Sequence, residues 1–155
     1  MEEHVLATPI GAVRYRVENG RLSDLSFTTD AAPSRPKDPI GKLLAAYFAG
    51  DLKALRRIPV LLRGTPFLAA VWRELRRLRP GKTLSYTELA RRVGRPTAVR
   101  AVARANACNK IALVVPCHRV IGSDGKLVGY SYGVERKAWL LRHEGATSFT
   151  PPPGP

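Results

Sequence analysis

The stretch SYTELARRVGRPTAVRAVARANA, Ser85 to Ala107, decides how the second half of this chain folds. Ser85-Tyr86-Thr87-Glu88 has the form of a capping box, in which the Ser85 hydroxyl accepts from the Glu88 backbone N–H while the Glu88 side chain reaches back. It opens a short helix through Val93. Gly94-Arg95-Pro96 breaks that helix, and Thr97 is placed to cap a second one over Ala98 to Ala107, with Arg100 and Arg104 one turn apart. Two short helices joined by a tight glycine-containing turn predict a helix-turn-helix. Such units also occur as inert parts of helical cores, so the motif alone assigns no partner.

Upstream, Thr65-Pro66 supplies an N-cap followed by a proline at the first helical position, which predicts a helix to about Leu78, ended by Pro80-Gly81. Gly11 to Val17 alternates apolar and charged residues, Glu18-Asn19-Gly20 is a turn, and Leu22 to Phe27 resumes an extended pattern: a β-hairpin. Pro33, Pro36 and Pro39 mark a loop, Ile40 to Phe48 has helical spacing, and Ile58 to Leu62 suits a further short strand. Downstream, Ile111 to Val115 is an apolar run of strand length, and an amphipathic helix is expected from about Val134 to His143. The expected organisation is an N-terminal α/β unit over 1–62, a mostly α C-terminal domain over 63–147, and a disordered Pro-rich tail over 148–155.

The 155 residues carry a net charge of +14, of which residues 63–110, with twelve Lys/Arg against two Asp/Glu, supply +10. So concentrated a cationic block points to a polyanionic partner such as nucleic acid, although a basic run can also be a solvated face. No apolar run approaches the roughly 20 residues of a membrane span, and the acidic start lacks a signal peptide's positive region. Only two cysteines, Cys108 and Cys117, are present, so we expect free thiols and a cytoplasmic location.

Cys117-His118 sets a thiol beside an imidazole able to take its proton, the usual way to a reactive thiolate. A carboxylate fixing the imidazole would complete a relay, and Glu144 at the end of the last helix is the acid of choice. Direct Cys117–His118 contact is not assured on a strand, where neighbours face opposite ways, so a water or a sharp turn after Pro116 would have to link them. A buried structural cysteine is the commoner alternative. A metal site drawn from Cys108, Cys117, His118 and His143 matches no paired-ligand spacing, and no metal is expected.

From Ser85 to Gly145 the sequence resembles the O6-alkylguanine-DNA alkyltransferases. Their hallmark stands here as Pro116-Cys117-His118-Arg119-Val120, flanked in order by Ser85-Tyr86, Ala98-Val99-Arg100-Ala101-Val102, Asn109, Gly129-Tyr130-Ser131, and Lys137 with Trp139-Leu140-Leu141-Arg142-His143-Glu144-Gly145. The resemblance covers the C-terminal half closely and the N-terminal unit in outline. It implies a ribonuclease H-like small sheet plus helix before the helix-turn-helix domain. It also implies direct, irreversible, single-turnover transfer of an alkyl group from O6-alkylguanine in double-stranded DNA to Cys117, by a monomer without a cofactor.

Carried over by position, His118 would act through a water as base, Glu144 would orient it, and Asn109 would brace the hinge before the active-site strand. Tyr86 would push the target phosphate, and Arg100 would fill the gap left by the flipped nucleotide through the minor groove. Tyr130, Ser131 and the backbone at Val120 would hold the base, while Thr87, Arg95 and Ser123 would touch the DNA backbone. Arg119 is expected to be structural, pairing with a carboxylate. Lys110 stands where proline commonly follows Asn109, which bears on the stiffness of the hinge. The rival readings are a non-enzymatic, alkyltransferase-like lesion binder, in which another residue replaces the cysteine, and a plain helix-turn-helix regulator.

Overall fold

The computed structural model describes residues 1–152; the last three residues of the expected tail lie outside it. The chain divides into two compact units, Met1–Arg63 with Lys110–Val114, and Gly64–Asn109 with the remainder from Val115.

The first unit is built on a three-stranded antiparallel sheet, β1 (Glu2–Thr8), β2 (Gly11–Glu18) and β3 (Arg21–Thr28), in that order. The β2–β3 hairpin forms as expected because Asn19 (φ 50°) and Gly20 (φ 76°) both take the left-handed conformation that a tight two-residue turn demands. The strand β1 was not expected: its Glu2-Glu3-His4 start hides the alternation, yet it pairs with β2 from Glu2↔Val17 to Thr8↔Gly11. Helix α1 (Pro39–Phe48) is capped by Asp38, whose carboxylate accepts from the Gly41 N–H at 3.0 Å, and buries Ile40, Leu44 and Tyr47. A Cβ at position 41 would collide with the Tyr15 hydroxyl, so the close approach of α1 to β2 requires glycine there.

Two expected strands are corrected. Ile58–Leu62 follows a 3₁₀ turn (Ala54–Arg57) and makes only a single bridge, Val60 to Leu22. Ile111–Val115 likewise contributes one bridge, Ile111 to Leu25, before turning through Leu113 at φ 70°. Every residue of Ile111–Val115 is nonetheless buried, 0–2% exposed. The apolar run reports burial, and the left-handed Leu113 breaks the extended conformation that the run alone suggests.

The second unit is mostly helical: α2 (Pro66–Arg76), α3 (Tyr86–Arg92), α4 (Val99–Ala107) and α5 (Val134–His143), with a two-residue parallel pair, β4 (Leu84–Ser85) and β5 (Val120–Ile121). Thr65 caps α2 by accepting from the Leu68 N–H, as expected. Trp72, 2% exposed, donates its indole N–H to the Ala105 carbonyl in the last turn of α4, tying the two helices together. Ser85 caps α3 through the Glu88 N–H at 3.1 Å, but the other half of the expected box is absent: the Glu88 carboxylate turns outward to Arg91 and Arg92. Thr97 does not cap α4, whose N-cap is Ala98 with no side-chain hydrogen bond. Part of the expected tail is held in place, since Phe149 packs with Leu127 on Ile121, Leu141 and Ala146, and the Thr150 N–H donates to the Gly125 carbonyl at 2.8 Å. Among the described residues no helix is long and apolar enough to cross a membrane.

Candidate active site

Cys117 begins a single 3₁₀ turn, Cys117–Arg119, set up by Pro116. The Cys117 N–H donates to the Val115 carbonyl at 2.8 Å and the Arg119 N–H to that of Pro116 at 3.0 Å. This is the sharp turn that the sequence required if the thiol and imidazole were to share one interior. Immediately after it, β5 pairs with β4, Leu84↔Val120 and Ser85↔Ile121, so the chain that carries the cysteine is registered against the residues that start α3 and present Tyr86.

Cys117 is 7% exposed, while His118 is fully buried and Arg119 and Glu144 nearly so. His118 Nε2 lies 2.8 Å from Glu144 Oε2. Arg119 grips the same carboxylate with two bonds, Nε to Oε1 and Nη2 to Oε2, both 2.8 Å, and its Nη1 donates to the Leu78 carbonyl at 2.7 Å. Burial works against the Glu144 charge, but the His118 and Arg119 contacts prevail and hold the carboxyl well below the usual range. Burial pushes His118 down from its ordinary 6.5, against the pull of Glu144. An ionised carboxylate only accepts, so the neutral imidazole carries its proton on Nε2 and keeps its lone pair on Nδ1, a buried atom with no hydrogen-bond partner.

Further polar groups stand around the thiol. Burial raises the Cys117 pKa, while a hydrogen bond with Asn109 and the charge of Lys137 draw it back. Asn109 also donates Nδ2 to the Val115 carbonyl at 2.7 Å, bridging the residues that follow α4 to the approach of the cysteine turn. Lys137 is completely buried, donates Nζ to the Val128 carbonyl at 3.2 Å, and is pushed down to about 8 by burial, against the attraction of Cys117. Tyr86 donates its hydroxyl to the same Val128 carbonyl at 3.0 Å. Tyr130, stacked edge-on against Tyr132, has a buried and unpartnered hydroxyl whose pKa burial drives well above 10.

Val120 is buried in β5, and Ser131 donates its hydroxyl to the Ala107 carbonyl at 3.5 Å. Arg100 and Ser123 are exposed, Thr87 is half-buried, and Arg95 lies exposed with its guanidinium over the Phe67 ring, 5.9 Å from the centroid. Tyr86, Arg100, Asn106 and Val128 line one open cleft of about 420 Å³.

Two site residues escaped the sequence reading. Lys137 belongs to the family-like block before Trp139, but its residue type alone names no role. Its signal was positional: Val134, Lys137, Ala138 and Leu141 fall at i, i+3, i+4 and i+7, so a lysine occupies the apolar stripe of α5. Asn106 sits likewise on the buried face of α4 with Val102 and Ala105.

Cys117, His118, Arg119 and Glu144 form a buried polar cluster in which the imidazole and the arginine share one carboxylate. The family model described as 6-O-methylguanine DNA methyltransferase, DNA binding domain, matches residues 66–146. The chain is 52% identical over 102 residues to the methylated-DNA–protein-cysteine methyltransferase of Shigella flexneri, and the match spans 66% of this chain but only 60% of that protein. With the protein of the same name from Mycolicibacterium paratuberculosis it shares 52% identity over 153 residues, 93% of this chain and 92% of the other. Among solved structures, Mycobacterium tuberculosis OGT in complex with DNA aligns with a TM-score of 0.81 at 36% identity, covering 96% of both chains. The chain belongs to the 6-O-methylguanine DNA methyltransferase family.

Proposed function

We propose that this protein repairs DNA by moving the alkyl group of O6-alkylguanine onto its own Cys117, once per molecule. The observation that carries the reading is the His118–Glu144–Arg119 lock on the residue next to the buried Cys117, which leaves the imidazole Nδ1 buried without a hydrogen-bond partner. His118 takes the thiol proton through a water; the thiolate attacks the alkyl carbon, the S–C bond forms, and the C–O6 bond breaks with its electron pair going to the purine. A proton returned to that purine leaves ordinary guanine and a thioether on Cys117. No cofactor enters this balance, and a thioether has no ready reverse reaction.

The alkyl carbon cannot meet a buried sulfur while its base is stacked, so the nucleotide must be turned out of the duplex. We assign that step to the helix-turn-helix formed by α3 and α4, entering the minor groove. Arg100 fills the gap, Tyr86 presses the target phosphate, and Thr87, Arg95 and Ser123 hold the backbone. Tyr130, Ser131 and the Val120 backbone receive the base, and Asn109 braces the turn. The small size of Ala101, Ala103 and Ala107 on α4 supports close approach to DNA. The first unit's sheet and α1 are compatible with a ribonuclease H-like half. Two free cysteines fit a reducing, cytoplasmic setting, and a monomer suffices for the chemistry.

The deciding experiment is intact-protein mass after incubation with a duplex containing O6-methylguanine, for the native chain, Cys117→Ser and Cys108→Ser. One added methyl on the native chain and on Cys108→Ser, but not on Cys117→Ser, is the expected result. Tight binding to the lesion without any mass change would make the protein a damage binder instead.

A further inference from the structure

The helix-turn-helix accounts for only part of the basic block. Of the twelve Lys/Arg in residues 63–110, five fall between Pro66 and Tyr86, on α2 and the turn after it, against a single acid, Glu74. Val71, Trp72 and Leu75 form the buried side of α2, so at 3.6 residues per turn Arg73 and Arg77 stand on its far side. Glu74 takes up part of the Arg77 charge at 3.5 Å, whereas Arg73 is exposed and pairs with no carboxylate among the described residues. Past the helix, the Lys82 N–H donates to the Arg79 carbonyl at 3.1 Å and closes a turn with an exposed cation at each end. A Cβ on Gly81 (φ 87°) would come within 3.0 Å of the Glu144 carbonyl, so this turn rests on the end of α5, whose last turn adds the exposed Arg142.

Cations in the last turn of a helix stabilise it, which accounts for Arg73 and Arg76 at most, since Arg79 and Lys82 lie beyond the helix. A solvated cluster of one sign repels itself, and a polyanion relieves that repulsion. The cluster does not share a surface with Arg100 and Arg104. Those two stand on the side of α4 away from Val102, Ala105 and Asn106, and the bond from the Trp72 indole N–H to the Ala105 carbonyl joins the buried sides of α4 and α2. The two cationic rows therefore look outward from opposite sides of one helix pair. Duplex DNA is stiff over about 150 base pairs, so a segment laid on α4 does not bend round to Arg73. We propose that Arg73, Arg79 and Lys82 hold the phosphate backbone of a second duplex segment, so that one molecule spans two segments of DNA. The inference rests on the DNA-repair reading for the first segment and adds a way of searching: a protein that grips a second segment before releasing the first moves between them without passing through free solution.

The test uses the full chain and two short undamaged duplexes, one labelled with a fluorescent donor and the other with an acceptor. At low salt the native protein should bring them together in a complex that sedimentation weighs as one protein with two duplexes. Binding of the second duplex should weaken with a slope of log K against log salt of about −2.7, about −0.9 for each of three phosphates. The triple variant Arg73→Gln, Arg79→Gln, Lys82→Gln should lose the two-duplex complex. It should still bind a single O6-methylguanine duplex and methylate itself within about twofold of the native chain, the margin for sites that share no contacts. A native protein that takes only one duplex at low salt overturns the proposal, as does a triple variant that still joins two. A joined complex holding two proteins also overturns it, by assigning the bridging to contacts between copies. Bridging without methyl transfer to Cys117 refutes the alkyl-transfer reading alone, and transfer without bridging removes the second site alone.

Discussion

At the scale of single residues the chemistry depends on which groups keep their charge indoors. Glu144 stays ionised because Arg119 and His118 saturate it, and that charge holds the proton of His118 on Nε2. Glu144→Gln keeps the shape but can donate from its amide, so it no longer dictates the tautomer; we expect transfer to slow about 10²-fold, within the range for losing a general base, in a single-turnover assay. The same groups set an acid limit on stability. Buried His118 is neutral when folded, with its pKa below 6.5, so between those values the unfolded chain binds more protons and stability falls as the pH drops. Glu144, depressed from 4.5, adds a second loss as the pH falls below that value. Lys137, at about 8 against 10.5 when unfolded, acts at the other end: from pH 8 to 10.5 the unfolded state again holds more protons, so this residue's contribution rises with pH. Urea midpoints for the native chain and Lys137→Met between pH 7 and 9.5 should converge as the pH increases; parallel curves would refute the assignment. The pairing of His118 with Glu144 was legible, because a carboxylate is the group expected to fix an imidazole beside a thiol. Lys137 was not, because a charged residue in an apolar stripe is ordinarily a snorkelling surface lysine, and only the fold shows its ammonium enclosed.

At the scale of elements, helix ends marked by proline and a hydroxyl were legible, since Thr65 and Ser85 cap α2 and α3 through backbone N–H groups that need partners anyway. The apolar runs were not, because Ile111–Val115 is as hydrophobic as a central strand and burial carries no information about conformation. Nor could sequence foretell the cross-ties. Arg119 joins the cysteine turn to Glu144 just beyond α5 and to the Leu78 carbonyl beyond α2, so one side chain fixes three segments. Arg119→Met leaves a buried carboxylate without its main counter-charge and should cost about 3–5 kcal/mol, the usual penalty for breaking a buried pair from one side. Trp72→Phe removes only the indole bond to Ala105 and keeps most of the packing, and is expected to cost about 1–3 kcal/mol through the unpaired carbonyl. Denaturant unfolding orders the two, and a Trp72→Phe loss equal to that of Arg119→Met would show that ring packing, not the hydrogen bond, holds α2 to α4.

At the scale of the whole molecule the informative quantity is the distribution of the +14 charge, and the structure sharpens what composition could say about it. Not every cation in residues 63–110 is available to a phosphate. Arg77 pairs with Glu74, and Arg91 and Arg92 share Glu88. Arg100 and Arg104, by contrast, are exposed on α4 at positions i and i+4 of a stripe whose intervening residues are small. Each phosphate neutralised on duplex DNA releases counterions and adds about −0.9 to the slope of log K against log salt. If the solvated arginines of α4 make such contacts, Arg100→Ala and Arg104→Ala should each weaken binding to undamaged duplex and shallow that slope by about one unit. Arg91→Ala should change it by less, because Glu88 already offsets part of its charge. Binding titrations between about 50 and 200 mM salt, the window over which such contacts lose affinity most visibly, separate the possibilities. A slope that drops equally for all three would assign the field to the block as a whole, and one that responds to none would remove α4 from the interface while leaving the chemistry at Cys117 intact.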